Sequence, residues 1–458
     1  MNLETNGVDT LPSRVDSFAA GLSRHWPRAK QWSLRLAEFG LVQGLVQLLT
    51  AVAGLLIVRT LAKQDYALYA IANSMQTMGS LLADLGIGIG LRSIGGRVWS
   101  DPERFGQLLS TAFHLRRRFA IFSLMVTVPF SGWMLWRNGA SAPLLIGLCL
   151  CVIAGVYPLL GSAVFTSCLQ LHGQYRRIQS LDFGNALLRL AVIAGLAMRH
   201  LNSLLACGVG VMSNWIQFVF SRRWARKHAS IDSIQNQQDR DELVRLSVKT
   251  LPNAIFFCFQ SQVTILIFTL FGSPNGIADI TALGRISALF AVFSAIFTNI
   301  LAPQFTCCQD STRLSRLYTA LVAGTSAMLG LFVLLTGLFP KPLLWLLGNK
   351  YALLEKELTW VVSAGCLAQI AAAMWHLNNC RGWITLTSKL YIPWIILAQA
   401  IAVPLLDFTI FFHVIIFSIV IAAAPIPLSA ADAVIGLRGR SASTSSPTQC
   451  TLPPWPNK

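Results

Sequence analysis

The sequence predicts an all-α, polytopic membrane protein, and three observations support this fold class. Hydrophobic residues make up 54% of the 458 residues, and the mean hydropathy is +0.58. Charged residues make up only 12%, whereas soluble domains carry roughly 25%. The apolar residues also cluster in windows of about 20, the length of a helix that crosses the hydrocarbon core of a bilayer. A soluble globular chain and a disordered chain are therefore both excluded.

Twelve apolar windows are long enough to form spanning helices. They lie at 40–60, 66–92, 119–136, 143–169, 183–199, 203–221, 251–271, 280–303, 317–339, 358–378, 390–407 and 409–431. The window at 183–199 is the weakest, because it is short and Arg189 interrupts it. Prolines blur the boundaries of the last two windows, so the prediction is about twelve helices.

The windows divide the chain into two six-helix lobes. The predicted parts are an N-terminal cytoplasmic segment (1–38), a first lobe (39–221), a cytoplasmic linker (222–250), a second lobe (251–431) and a disordered cytoplasmic tail (432–458). Two halves whose ends lie on the same side can be related by an axis along the membrane normal, which is a common transporter plan. We therefore expect two lobes around a central cavity.

The loops on one side of the predicted membrane carry most of the positive charge. Of the 36 Lys and Arg residues, 27 fall on the side that holds both termini and 7 on the other. The positive-inside rule then places both termini in the cytoplasm of a bacterium, with the chain in the inner membrane. Basic loops beside an anionic leaflet explain the net charge of +17 without a nucleic-acid partner. The basic run 114–118 is interpreted as a lipid-headgroup anchor.

Polar residues recur at helical spacing in the first two windows of each half. The stripes are Gln43, Gln47 and Thr50; Asn73, Thr77, Ser80 and Asp84; Asn253, Gln260 and Thr264; and Arg285 with Asn299. Polar faces avoid lipid, so each stripe is expected to face a water-filled cavity or a neighbouring helix. Hydrogen bonding between helices without transport is the alternative interpretation.

Two arginines lie inside predicted spans, where a guanidinium costs about 2.5–3.5 kcal/mol to insert. Arg189 shares a helix face with Asp182, so an ion pair or a side chain that reaches the interface is the alternative to a cavity role. Arg285 shares a face with Asn299. Guanidinium groups bind oxyanions in a bidentate way, so a cavity lined with arginine suits a phosphate or carboxylate substrate.

Two further charges stand near the end of the second window. Asp84 is the only acid deep within the first two windows, which makes it the candidate for coupling to H⁺ or Na⁺; a helix-packing hydrogen bond is the alternative. Arg92 ends the second window, where interfacial anchoring competes with a role in the cavity.

The enzyme classes find little support in the sequence. A membrane glycosyltransferase or polysaccharide polymerase needs a sizeable acidic external loop, and the sequence offers none. The cysteines show no CxxC pattern and no Cys/His spacing typical of a metal site. We therefore predict a transporter without cofactor or metal.

Two regions carry a family pattern. In 54–97, a short Tyr-containing turn joins two spans and the second span contains Asp84-Leu85-Gly86; in 263–305, Gly284-Arg285 and Pro303 stand at the start of the second half. With these motifs the chain resembles the polysaccharide (O-antigen type, Wzx-like) flippases of the multidrug/oligosaccharidyl-lipid/polysaccharide (MOP) exporter superfamily. Twelve spans rather than fourteen make the lipid II flippase branch a poorer match.

The resemblance implies two six-helix lobes around a cationic cavity, MATE-like in architecture, with Arg285 and Arg92 facing that cavity. It implies alternating access and the transfer of an undecaprenyl-diphosphate-linked oligosaccharide to the outer leaflet for surface or exopolysaccharide assembly. Membrane lipids and polysaccharide-assembly proteins are the expected partners. The candidate substrate-binding residues are Arg285, Arg189, Arg92, Asn299, Gln43, Gln47 and Gln260. The alternative is a MATE-type drug/cation antiporter, which would need core acids, and only Asp84 and Asp182 are available.

Overall fold

The structure is a computed structural model, and it describes residues 40–84, 86–98, 101–230, 236–287 and 311–440, with Phe290, Phe297 and Phe305 as isolated positions. The first helices are α1 (Gly40–Thr60), α2 (Lys63–Asp84), α3 (Ile87–Val98), α4 (Pro102–Arg137), α5 (Ala142–Leu171), α6 (Tyr175–Ala197) and α7 (Ser203–Ala225). They are followed by α8 (Gln237–Gln260), α9 (Val263–Phe271), α10 (Pro274–Ser287), α11 (Ser311–Leu338), α12 (Pro340–Leu347), α13 (Glu355–Arg381), α14 (Thr387–Ala402), α15 (Phe411–Ala423) and α16 (Pro425–Arg440).

These helices confirm the all-α polytopic fold class. Among the described residues, nine helices are long and apolar enough to cross a membrane, or ten if the pair Leu251–Gln260 and Val263–Phe271, bent by 47°, forms one span. Helices α15 and α16 together make up one of these nine spans. Helix α2 lies in the predicted window 66–92, and it is less apolar because it carries a polar stripe. Helix α10 covers the start of the window 280–303, most of which lies outside the described residues. The chain is therefore a multi-pass membrane protein.

The helices form two lobes. In the first lobe, α5 packs along α4 and α7, and α2 lies against all three. In the second lobe, α13 is central and contacts α10, α11, α15 and α16. The second half contacts the first lobe through α10 against α2, α9 against α4, and α8 against α2, α3 and α4. Helix α2 is thus positioned at the boundary between the two lobes.

The hydrophobic cores show where the lobes meet. We call the end of the bundle with the loops rich in Lys and Arg the basic face, and the other end the opposite face. One core cluster joins both lobes through residues of the opposite face, among them Leu61 and Tyr351. Toward the basic face, the described residues form two separate clusters, one around Phe105 and one around Trp383. Among the described residues, the hydrophobic core is therefore continuous between the lobes at the opposite face and divided into two clusters at the basic face, where α8 packs on α3 and α4.

The second predicted window, 66–92, is wrong as a continuous helix. Helix α2 ends at Asp84 and α3 begins at Ile87, because Gly86 takes a left-handed conformation with φ of +80°. Glycine adopts this conformation without the steric penalty that a Cβ would bring. Asp84 consequently lies at a helix terminus and not deep within a span.

The predicted linker, 222–250, is mostly helical. Helix α7 continues to Ala225, and α8 begins at Gln237 with Asn236 as its N-cap. The guanidinium of Arg104 donates to both carboxylate oxygens of Asp239 at 2.5 and 2.7 Å, which holds the start of α8 against α4. Polar composition identified this segment only as a linker, and a cap and a bidentate ion pair stabilise the helix that forms in it.

The predicted tail, 432–458, also begins too early. Helix α16 continues to Arg440 because Asp432 is buried at its packing face. The Asp432 carboxylate accepts hydrogen bonds from the backbone N–H groups of Leu386 and Thr387 at 2.7 and 2.9 Å, and so caps the start of α14. The rest of the predicted tail and the predicted N-terminal segment, 1–38, lie outside the described residues.

Replacing Asp432 with alanine is expected to lower the free energy of unfolding by about 1–2 kcal/mol, because two buried N–H groups lose their acceptor. The buried thiols of Cys168, Cys207, Cys258 and Cys366 allow the measurement, since a thiol-reactive dye reports their exposure during melting in detergent. Asp241→Ala is the control, because Asp241 is exposed in the first turns of α8. Equal melting temperatures for both variants would contradict the capping role.

Candidate functional site

The accessible side of α2 faces the gap between the lobes. Helix α2 packs against α4, α5 and α7 of its own lobe and against α8 and α10 from the other half of the chain. Along the predicted stripe, Thr77 is exposed and Asn73 and Ser80 are half-buried. The stripe on α2 therefore stays partly accessible between helices of the two lobes.

The two predicted arginines meet at one tyrosine near the closed end of this gap. The Nη2 atom of Arg189, on α6, donates to the Tyr69 hydroxyl at 3.2 Å. Arg285, on α10, interacts electrostatically with Tyr69, and its Nε donates to the Tyr66 hydroxyl at 3.3 Å. The Tyr66 and Tyr69 rings stack with centroids 6.1 Å apart and are fully buried. Each lobe thus contributes one guanidinium to this pair of tyrosines.

A glycine on α1 makes room for the second of these guanidinium groups. A Cβ built on Gly54 would lie 3.1 Å from Nη1 of Arg285. That distance is shorter than an ordinary van der Waals contact, so a larger residue would displace the arginine. The backbone of α1 therefore forms one wall of the Arg285 site.

Neither guanidinium contacts a carboxylate among the described residues, and the partners that Arg189 and Arg285 find there are tyrosine hydroxyls. The Nε atom of Arg189 is buried and has no hydrogen-bond partner in the described part of the chain. A buried donor without an acceptor costs about 1–3 kcal/mol. The arrangement leaves two positive charges that an anion could compensate.

Polar contacts between the lobes close the opposite face. Lys63, at the start of α2, forms an ion pair with Asp279 of α10 at 2.7 Å. Lys350 donates to the carbonyl oxygens of Leu61 and Arg59 at 2.6 and 3.2 Å. We call the cross-lobe contacts of Arg59, Lys63, Arg137, Asp279 and Lys350 the seam.

Two more cations complete the seam. Arg137, at the end of α4, donates to the carbonyl oxygens of Thr269 and Leu270 at 2.9 and 3.1 Å, where α9 ends. The guanidinium of Arg59 lies 5.1 Å from the ring centroid of Trp345. Cations stabilise the C-terminal ends of helices, which carry partial negative charge. The seam therefore joins helix ends of one lobe to charges of the other.

Asp84 is bound in an ion pair. Arg116, on α4, donates to its carboxylate and to the carbonyl oxygen of Leu160 at 3.1 Å. Arg116 is 3% exposed, so the run 114–118 is not simply a headgroup anchor; its exposed members are His114, Arg117 and Arg118. Asp84 instead fastens the end of α2 to α4 near the basic face.

A chain of polar side chains connects α6 to α7. Gln217 donates to the Asp182 carboxylate at 3.1 Å, Asn185 donates to Gln217 at 3.4 Å, and Ser213 donates to Asn185 at 2.5 Å. Asp182 contacts no cation in the part of the chain that the structure describes. The alternative of an Arg189–Asp182 ion pair is therefore wrong: Arg189 turns to Tyr69 on α2 instead.

The remaining predicted site residues are not gathered at Tyr69. Gln43 and Gln47 are half-buried on α1. Gln260 accepts a hydrogen bond from Gln399 of α14 at 2.7 Å, which joins two helices of the second half. Asn299 and the side chain of Arg92 lie outside the described residues. Among the described residues, no group of His, Cys, Asp and Glu is placed to bind a metal ion.

Sequence reasoning missed Tyr66, Tyr69 and Arg116. The two tyrosines stand three residues apart on α2, so helical spacing places them on one face. Arg116 stands four residues from both Ala112 and Ala120, which are buried. In both cases the spacing was visible, but the partners come from distant parts of the chain.

The two-lobe arrangement of helices is similar to that of solved membrane transporters. An inward-facing MATE family multidrug resistance transporter of the MOP superfamily matches the chain with a TM-score of 0.66 at 13% identity, over 87% of this chain and 96% of that chain. The outward-facing conformation of such a transporter matches with a TM-score of 0.56 at 13% identity, over 89% and 95%.

A third structure is a MOP superfamily transporter from Pyrococcus furiosus, for which reverse polarity of the binding pocket suggests a different function. It matches with a TM-score of 0.57 at 14% identity, over 89% of this chain and 94% of that chain. No protein-family model and no curated protein matches the sequence. The chain therefore has the same fold as these MATE transporters, and its TM-score is higher with the inward-facing form than with the outward-facing one.

Proposed function

We propose that this protein is a flippase that moves an undecaprenyl-diphosphate-linked oligosaccharide across the bacterial inner membrane for surface polysaccharide assembly. The basic face is the cytoplasmic side in this proposal. The hydrophobic core of the described residues is divided there, so the sugar and diphosphate enter the gap from the cytoplasm while the prenyl chain stays in lipid. Arg189 and Arg285 bind the diphosphate or an acidic sugar.

The observation that carries the proposal is the pair of guanidinium groups at Tyr69 without a carboxylate. In a site shielded from water, an unpaired cation costs free energy that an oxyanion can offset. Hydrogen bonds from arginine to phosphate are charge-assisted and bidentate, and so they are stronger than hydrogen bonds to a phenol. A cationic drug would meet repulsion at the same place, which favours the anionic substrate.

Two acids, Asp84 and Asp182, are candidates for coupling transport to an ion. Asp84 is held in an ion pair with Arg116, so a coupling role for Asp84 would require this pair to break. Asp182 has no cation partner among the described residues and lies two turns from Arg189 on α6. We therefore propose Asp182 for H⁺ or Na⁺ coupling. The same observation favours the second candidate function, a drug/cation antiporter, because such a transporter needs an uncompensated acid in its core.

Transport in proteoliposomes tests the proposal. We expect wild-type protein to move an undecaprenyl-diphosphate-linked oligosaccharide with a dithionite-sensitive fluorophore on its sugar. Arg189→Gln is expected to slow this transfer roughly tenfold or more, since a hydrogen bond to a charged group contributes about 1.5–3 kcal/mol. Arg199→Gln, at the exposed turn after the same helix, is expected to keep the wild-type rate.

Tetraphenylphosphonium in the same vesicles separates the two candidate functions. Uptake of this cation without transfer of the lipid-linked sugar would establish the antiporter and reject the flippase. Equal transfer rates for wild type and Arg189→Gln would remove Arg189 from the substrate site.

A further inference from the structure

We propose that Tyr69 and Arg285 couple anion binding between the lobes to opening of the seam. This inference rests on the proposed function, because it takes the ligand to be the diphosphate of a lipid-linked substrate. In the observed state Arg285 closes the α2–α10 contact; when an anion is bound, Arg285 leaves the two tyrosines and joins Arg189 at the anion.

The shared hydroxyl is the basis of this coupling. Tyr69 accepts from Arg189, which belongs to its own lobe, and interacts with Arg285, which belongs to the other lobe. Tyr69 is 1% exposed, so no water competes for this hydroxyl at the protein surface. An anion that binds both guanidinium groups therefore removes the interaction of Arg285 with the tyrosines, which is a polar link between α10 and α2.

A diphosphate can bind both guanidinium groups in place of the tyrosine hydroxyls. Each guanidinium has five N–H donors in a planar fork, and a phosphate can accept two of them at once, whereas a phenol offers a single oxygen. The buried Nε of Arg189 has no partner in the described residues, so it gains a hydrogen bond when an anion binds. The exchange thus replaces weak hydrogen bonds with charge-assisted ones.

The position of Arg285 along α10 determines how the lobes can move. Arg285 stands six residues, or about 9 Å, further along α10 than Asp279, so it lies nearer the middle of the bundle than the seam ion pair. An anion held by Arg189 and Arg285 joins the lobes at this inner level, while the hydrogen bond from Arg285 to Tyr66, next to the seam, is lost. The lobes can then pivot about the bound anion and part at the opposite face.

Distance measurements across the seam test the coupling. Ketoxime spin labels on p-acetylphenylalanine at Met198 and Leu353 avoid the native cysteines, and both positions are exposed on the opposite face, at 88% and 95%. With undecaprenyl diphosphate as the probe and undecaprenol as its neutral control, we expect the diphosphate alone to increase the population of the longer distance in wild type.

Tyr69→Phe is expected to raise the ratio of open to closed seam roughly tenfold without ligand, and to abolish most of the further increase caused by the diphosphate. Asp279→Asn is expected to loosen the seam but keep the ligand-driven increase, because it leaves the shared hydroxyl in place. Tyr157→Phe, which removes a hydroxyl from α5 away from the seam, is expected to match wild type.

The outcomes separate this inference from the proposed function. A ligand-driven increase in Tyr69→Phe equal to that in wild type overturns the coupling. Binding of undecaprenyl diphosphate to wild type, measured by its effect on the melting temperature, without any change in the distances also overturns the coupling but leaves the proposed substrate intact. Failure of wild type to bind the diphosphate at all overturns the proposed function.

Discussion

Replacing Arg116 with methionine is expected to lower the free energy of unfolding by about 3 kcal/mol. Arg116 is 3% exposed, pairs with Asp84 and donates to the Leu160 carbonyl. Methionine keeps the length of the side chain but leaves the Asp84 carboxylate without its cation. Breaking a buried ion pair by removing one partner costs about 3–5 kcal/mol, and the 39% exposure of the Asp84 side chain places the effect at the lower end.

Melting in detergent with a thiol-reactive dye measures this effect, and Arg117→Met is the matched control from the same basic run. Arg117 is exposed, so its replacement is expected to leave the melting temperature nearly unchanged. The double variant Arg116→Met/Asp84→Asn is expected to recover part of the loss, since no unpaired charge remains. Equal melting of the two single variants would show that Arg116 is an anchor at the headgroups after all.

The positions and order of most of the spanning helices could be predicted because spanning length and apolar character are local properties of the chain. The errors fall where a local signal was overlooked. Gly86 ends α2, Asn236 caps α8, and Asp432, in the part of α16 beyond the predicted boundary of the second lobe, caps α14. Each of these residues acts through backbone geometry or hydrogen bonds, to which a hydropathy window is insensitive.

The candidate site could be predicted only in part. Arg189 and Arg285 were found because a guanidinium inside an apolar span is costly and needs a partner. The identity of that partner depends on how α2 lies between the lobes, so Tyr66 and Tyr69 could not be predicted from spacing alone. For Asp84, the residue was identified from its motif but its partner was not. Arg116 approaches from α4 and forms an ion pair with Asp84, which could not be predicted from the sequence.

Exchanging the charges of the seam ion pair is expected to control which face of the protein is open. Lys63→Asp places two carboxylates together at the site of the 2.7 Å contact with Asp279. Two charges 4 Å apart interact by about 4 kcal/mol at an effective dielectric constant of 20. Solvent reduces this value, because Lys63 is 29% exposed. A net change of about 2–3 kcal/mol, roughly 30- to 150-fold in the ratio of open to closed seam, is expected from the repulsion.

The longer distance between spin labels at Met198 and Leu353 should therefore dominate in Lys63→Asp even without ligand. The exchanged variant Lys63→Asp/Asp279→Lys restores an attractive pair and is expected to return the distances to those of wild type. Lys341→Asp changes the same charge on the same face away from the seam, and is expected to have no effect. If the exchanged variant stays as open as Lys63→Asp, the seam is not held by this ion pair. In that case the carbonyl contacts of Lys350 and Arg137, which the exchange leaves untouched, must also be too weak to keep the opposite face closed.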